Sequence, residues 1–411
     1  MLGSAIAVGF TWSGLSDAIT SLFIVRMGYG PEFVGASSAA ANLGYALAAL
    51  PGAALARQIG ARRGQIVGAV GWMVGLMLLS VADLVPGSWQ MAYIVSARVL
   101  AAAGLAVGMV CKQPYLARVT PVGLRPLVFA LMIALRPFGG FFGGLLGGLL
   151  PGAAVALGMG ARMASLAEPR PYGLALALGS LAYVPVIWAL RTLPRDNPDQ
   201  PTGGRHTAAG VASDAGTSAG ATPRSAAPIF VLAAIALVCA LRVGGEYTAR
   251  VFFSVHADAS FGVTAAQIGT VVAVSSLLSI PAPLITPALV RRFGRVTTVV
   301  AGAAGVAVSI GLMAIGSGWG VLAIGFVGLT ILAAAARAVW TLMIQELVTD
   351  DWRPASSAIA NLTSGLGTMV VSSLGGMLAA RSGYPATFAA SAVLVGLGAV
   401  TVWVAFRRRI R

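Results

Sequence analysis

The chain has 411 residues, of which 58% are hydrophobic and only 9% charged, with a net charge of +15. Soluble domains carry about 25% charged residues, so a water-soluble globule of this length is excluded, because it could not cover its surface. The basic excess does not mark a nucleic-acid binder either: Lys112 is the sole lysine, and the arginines sit in short clusters between long apolar runs, a pattern of membrane topology.

Many of these runs reach the ~20 residues that cross a bilayer as a helix. Backbone in lipid must satisfy its own hydrogen bonds, so each is predicted helical, and the alternation of a membrane barrel is absent. In chain order the predicted spans are Leu2–Val25, Pro31–Ala56, Gly64–Ala82, Trp89–Ala117, Leu124–Leu150 and Pro171–Leu190, then Pro228–Val255, Thr264–Val290, Val296–Ile315, Gly318–Leu347, Pro354–Ala380 and Tyr384–Phe406. They are numbered 1 to 12 below. The first lacks the basic leader of a cleavable signal and is taken as a span. Residues 1–191 and 228–411 thus form two six-helix bundles. The segment 192–227, rich in Pro, Gly, Ser and Thr, joins them as a flexible linker.

With the N-terminus inside, Arg57, Arg62, Arg63, Arg118, Arg125, Arg291, Arg292, Arg295, Arg353 and the linker and C-terminal arginines fall on one side. Only Arg26, Arg162, Arg170 and Arg381 fall on the other. The positive-inside bias therefore places the linker and both termini in the cytoplasm, and the chain in the cytoplasmic membrane. Cys111 and Cys239 lie within apolar runs, and His206 and His256 are the sole histidines, so neither a disulfide framework, a metal site nor another cofactor is expected.

The halves repeat. Leu100 to Gln113 aligns without gaps with Leu332 to Gln345. Arg125-Pro126 and Gly147-Gly148 align with Arg353-Pro354 and Gly375-Gly376, and Val34-Gly35 and Gly60 with Ile268-Gly269 and Gly294. Asp17 falls near Glu246. Two parallel repeats about an axis along the membrane normal follow.

Between spans 2 and 3 runs Ala53-Ala-Leu55-Ala-Arg57-Gln58-Ile-Gly60-Ala61-Arg62-Arg63, and the second copy contains Arg291-Arg292-Phe-Gly294-Arg295. With six plus six spans and a long central linker, this resembles the major facilitator superfamily, whose loop motif runs Gly-x-Leu-x-Asp-Arg-x-Gly-Arg-Arg. Leu55, Gly60 and Arg62 fit; Arg57 stands where the family has its acid, and the second copy lacks that acid too. The resemblance implies gating roles for Gly60, Arg62, Arg63, Gly294 and Arg295. It also implies a monomer, and a central cavity lined by spans 1, 4, 7 and 10. Span 5, with Gly139, Gly140, Gly143, Gly144, Gly147 and Gly148 after Arg136-Pro137, resembles the glycine-rich motif of the family's proton-coupled exporters. Such a smooth face serves either as a static packing seam or as a moving seal, and Pro137 favours a kink.

Charge inside the membrane falls on the cavity spans and span 5: Asp17 in span 1, Arg98 and Lys112 in span 4, Arg136 in span 5, Arg242, Glu246 and Arg250 in span 7, Arg337 and, near the inner end, Glu346 in span 10. The interiors of spans 3, 6, 9 and 12 have none. A buried ion needs a partner, water or a purpose. Arg242, Glu246 and Arg250 share one helix face; they either tie the halves together or meet an anionic substrate. Lys112 is expected to snorkel toward the cytoplasm. Substrate contacts are assigned to Arg242, Arg337, Arg98, Arg136, Thr341 and Gln345. Proton coupling is assigned to Asp17 and Glu246, since protonation competes with an arginine partner for a desolvated carboxylate; a hydrogen-bonded structural role is the alternative for Asp17. A proton-coupled secondary transporter of a small organic solute, possibly an anion, is the reading that follows, with drug or metabolite export as its variant. No phosphate-binding loop for ATP is present. An intramembrane enzyme and a non-transporting receptor or scaffold are the rival classes.

Overall fold

The structure is a computed structural model that describes residues 2–121, 124–158, 165–193, 229–348 and 352–407; the side chains of Arg57, Arg118, Arg125, Gln345 and Arg353 also lie outside what it describes, as does the linker from 194 on. Among the described residues ten helices are long and apolar enough to cross a membrane, and one bent pair adds another crossing. The longest helix, Arg353–Phe406, breaks at Gly383, where φ is +83° and Pro385 follows, so it is two spans. Twelve crossing segments result, close to the predicted bounds.

Local chemistry explains the ends. Gly60 and Gly294, which start spans 3 and 9, have φ of +88° and +81° with extended ψ. Only glycine occupies that region without strain, which accounts for the loop-motif glycine in both repeats. Gly28 and Gly262 also have positive φ. They are spaced as Gly60 and Gly294 are, so each half turns at the same points. Thr264 caps span 8 in a capping box with Gln267. Two spans depart from plain helix. Span 8 was expected to run unbroken, but Ala265–Leu278 and Ala282–Phe293 meet at 47°, because Pro281 cannot supply the hydrogen bond that would continue the first piece. Span 1 is wound as a π-helix over Gly9–Thr20, a form rare beyond one turn and frequent at functional sites. Span 5, by contrast, is assigned as one helix, Arg125–Ala156, across Pro137.

Burial divides the molecule by depth. In spans 2, 5, 8 and 11 the half nearer the termini is open: no residue is buried over 42–51, 131–138 or 357–366, and beyond Ser279 span 8 buries only Ala282 and Thr286. The opposite half of each is closely packed. The cores agree. One large cluster on the side away from the termini joins both bundles, with Ile19 and Phe23 against Phe252, Phe253, Ile268 and Phe326. Toward the termini the core separates by bundle, around Trp72 and Leu76 and around Cys111 and Tyr115 in the first, and around Val238 and Trp340 in the second. The bundles therefore meet at one end and diverge at the other, leaving a cavity open on the side of the termini.

Candidate functional site

The predicted charges converge where the cavity closes. Glu246, 3% exposed, accepts a hydrogen bond from Arg242 Nη1 at 2.9 Å. Arg337 Nη2 lies 3.8 Å from its other oxygen, and the Arg337 side chain is 57% exposed. That exposure on an inward-facing span places its head in the open cavity. Arg250 does not join this group, although its spacing on span 7 allowed it. It reaches across to the first bundle, with Nη1 3.8 Å from Asp17 Oδ2, while its guanidinium lies over the Phe326 ring of its own bundle. A second pair, Arg26 with Asp258 at 2.6 Å, joins spans 1 and 7 nearer the closed end. The register set by the paired glycines puts Asp17 opposite Val251 and not Glu246. The two acids are thus different devices: one holds two arginines within its own bundle, the other bridges the bundles.

In the first bundle Arg98 donates to the Ser37 and Ser38 hydroxyls at 2.8 and 3.0 Å. Arg136 has no carboxylate at ion-pair distance among the described residues; it lies over the Trp12 ring, 5.9 Å from the centroid. Asp17, Tyr45, Tyr183 and Arg250 are within its electrostatic reach. Trp12 stacks on Trp72 and meets Tyr45 edge-on, each at 5.8 Å. Sequence reasoning missed these aromatic residues, since a Trp in an apolar span reads as core; the one available signal was that Trp12 shares its helix with Asp17. Five arginines thus surround two acids in a region where charge is costly.

The remaining assignments are quieter. Thr341 returns its hydroxyl to the Arg337 carbonyl, and Ser364, Thr368 and Ser372 likewise bond within span 11. Gln345 lies outside the described side chains. Lys112 does not snorkel: it is 8% exposed and points into the first bundle, because spans 1, 3 and 6 cover its route to water. In the loops, Arg62 donates to the carbonyls of Leu193 and Arg191 at 2.7 and 2.8 Å, fastening span 3 to the end of span 6. Arg295 pairs with Glu346 at 2.5 Å, fastening span 9 to span 10. Arg63 is exposed. In this conformation the contacts described for Arg62 and Arg295 lie within their own bundles.

Span 5 presents two glycine faces. A Cβ on Gly139 or Gly143 would lie 2.0 Å from the carbonyl of Ile6 or Phe10 in span 1; one on Gly148 would lie 2.6 Å from that of Ala265 in span 8. The second repeat makes the equivalent cross-bundle contact, Gly376 against Pro31 and Gly35. The glycine pairs that repeat in the sequence are therefore the ones that close the far side of the cavity. One face is a seam within a bundle, and the other is the joint between bundles.

Residues 235–411 match the Major Facilitator Superfamily. No curated protein sequence matches the chain. Among solved structures, the inward-open xylose transporter XylE of E. coli superposes with a TM-score of 0.73 at 13% identity, over 98% of this chain and 94% of that one. The E. coli transporter FucP in its outward conformation gives 0.62 at 16% identity, over 98% of each. The human organic anion transporter MFSD10 gives 0.61 at 15%, over 98% of this chain and 96% of that one. The chain is thus a multi-pass membrane protein that shares the fold of these solved structures along its length and matches the Major Facilitator Superfamily in sequence across its second bundle.

Proposed function

We propose that the chain is a secondary transporter that carries a small organic anion across the cytoplasmic membrane by alternating access, coupled to protons. The observation that carries this reading is the pair Arg136 and Arg337. They stand on opposite bundles beside one cavity; Arg136 has no carboxylate at ion-pair distance, and Arg337 holds only the far edge of one already bonded to Arg242. A bound carboxylate would complete both, and its contacts to the two bundles would favour their closing around it. Trp12 and Tyr45 offer an apolar face beside Arg136. The positive-inside bias makes the open side cytoplasmic, so the conformation is inward-facing. Both halves of the cavity belong to one chain, so a monomer suffices.

Asp17 is the coupling group in this reading. Its partner Arg250 comes from the other bundle, so gain or loss of a proton at Asp17 makes or breaks a tie between bundles. A group that titrates and also bridges moving parts is what coupling requires. Solved structures of this fold that lend support to the reading include a D-xylose–proton symporter, a fucose–proton symporter and a human organic anion transporter. No reacting constellation of an enzyme is invoked. The test is uptake of labelled organic anions and cations into proteoliposomes, with and without an inward proton gradient. Anion uptake that responds to the gradient is the expected result. Transport confined to cations or neutral sugars would overturn the anion assignment, and no transport of any class would overturn the transporter itself.

A further inference from the structure

Lys112 poses a problem that transport does not answer. It is 8% exposed, within a bundle, and among the described residues it has no hydrogen bond or ion pair. Pairing or hydrogen bonding is the usual condition for keeping a buried charge. The ammonium lines a crevice of about 30 Å³ between spans 1, 3, 4 and 6. Gly68 and Gly104 let spans 3 and 4 approach there, and Trp72 forms part of the wall. Tyr183 lines the same crevice. Its hydroxyl is buried and has only the Thr11 hydroxyl near it, with no bond of good geometry. Gln65, 4% exposed, is the other polar wall, its amide donating to the Cys111 carbonyl at 3.4 Å. Arg136 lies within electrostatic reach of Lys112. An unpartnered ammonium, a weakly held phenol and an excess of positive charge thus adjoin one small space, with no acid among the described residues to answer them.

We propose that this crevice binds a small inorganic monoanion, chloride or another halide, held by the Lys112 ammonium and the Tyr183 hydroxyl. The volume selects the class. A space that holds about one to two water-sized bodies suits a monatomic ion better than a carboxylate, sulfate or organic substrate. The mostly apolar wall favours a weakly hydrated ion over a strongly hydrated one. The site lies within the first bundle, behind span 1, so it is separate from the cavity between bundles and stands whether or not the transport assignment holds.

The test is thermal unfolding of the purified full-length protein at constant ionic strength, with sodium gluconate replaced stepwise by sodium chloride or sodium bromide. A saturable rise in unfolding temperature with both halides is expected, since a ligand that binds the native state stabilises it by mass action. Lys112→Met keeps the volume and removes the charge; it should fold and lose the halide dependence. Tyr183→Phe should move the halide midpoint up by about tenfold, the loss of one hydrogen bond to an ion. No halide-specific rise in the native protein overturns the proposal, as does a rise that persists unchanged in Lys112→Met.

Discussion

At the scale of single residues, the site depends on which arginine meets which acid. A guanidinium binds a carboxylate through two parallel hydrogen bonds, which an ammonium cannot copy. Arg136→Lys and Arg337→Lys should each weaken anion binding by about tenfold or more, in line with the ~1.5–3 kcal/mol of a hydrogen bond to a charged group. Titration calorimetry with a transported anion reads this directly, and unchanged affinity removes the residue concerned from the site. Asp17→Asn imitates the protonated acid at nearly constant volume. Anion-driven proton flux should vanish in that variant while exchange at equal pH continues; full proton flux would return Asp17 to a structural role. Glu246→Gln has a different outcome, because it takes the counter-charge from the buried Arg242 and from Arg337 at the cavity edge. Breaking such a pair costs about 3–5 kcal/mol, so a lower unfolding temperature should accompany any loss of binding.

At the scale of elements, span 5 and the loop glycines make the sharpest predictions. Gly143→Ala places a methyl against the Phe10 carbonyl. The two helices must then separate, at a cost of about 1–3 kcal/mol for overpacking, seen as reduced thermal stability. Gly148→Leu acts elsewhere, wedging the joint with span 8. It should shift the population away from the inward-facing state and raise the labelling of a cysteine placed in the cavity from the side opposite the termini; labelling that stays unchanged would mean the glycine contact does not hold that side shut. Gly294→Ala must adopt a backbone conformation foreign to L residues, and should destabilise by about 1–3 kcal/mol. The span limits were legible in the sequence because hydropathy acts on each segment alone. The π-winding of span 1 and the bend of span 8 were less so. Pro281 and Pro287 were in view, but which proline breaks a helix depends on what packs around it.

At the scale of the whole molecule, orientation and conformation are separate questions. Orientation follows from loop charge, and a protease site inserted at Ala212 tests it: cleavage in inside-out vesicles and protection in intact cells are expected, and the reverse would invert every statement about sidedness. Conformation follows from packing alone. Twelve spans, two repeats and the concentration of arginine on the inward-facing spans were legible in the sequence, because insertion into lipid is decided span by span from transfer energy and flanking charge. The tertiary structure alone decided that Arg250 leaves Glu246 for Asp17, that Arg337 takes its place, that Lys112 turns inward, and that the repeated glycines close one end. Each is a choice between partners equally allowed by helical spacing. A long side chain on a helix reaches neighbours on its own face or on the next helix, and only the placement of the bundles settles which contact is made.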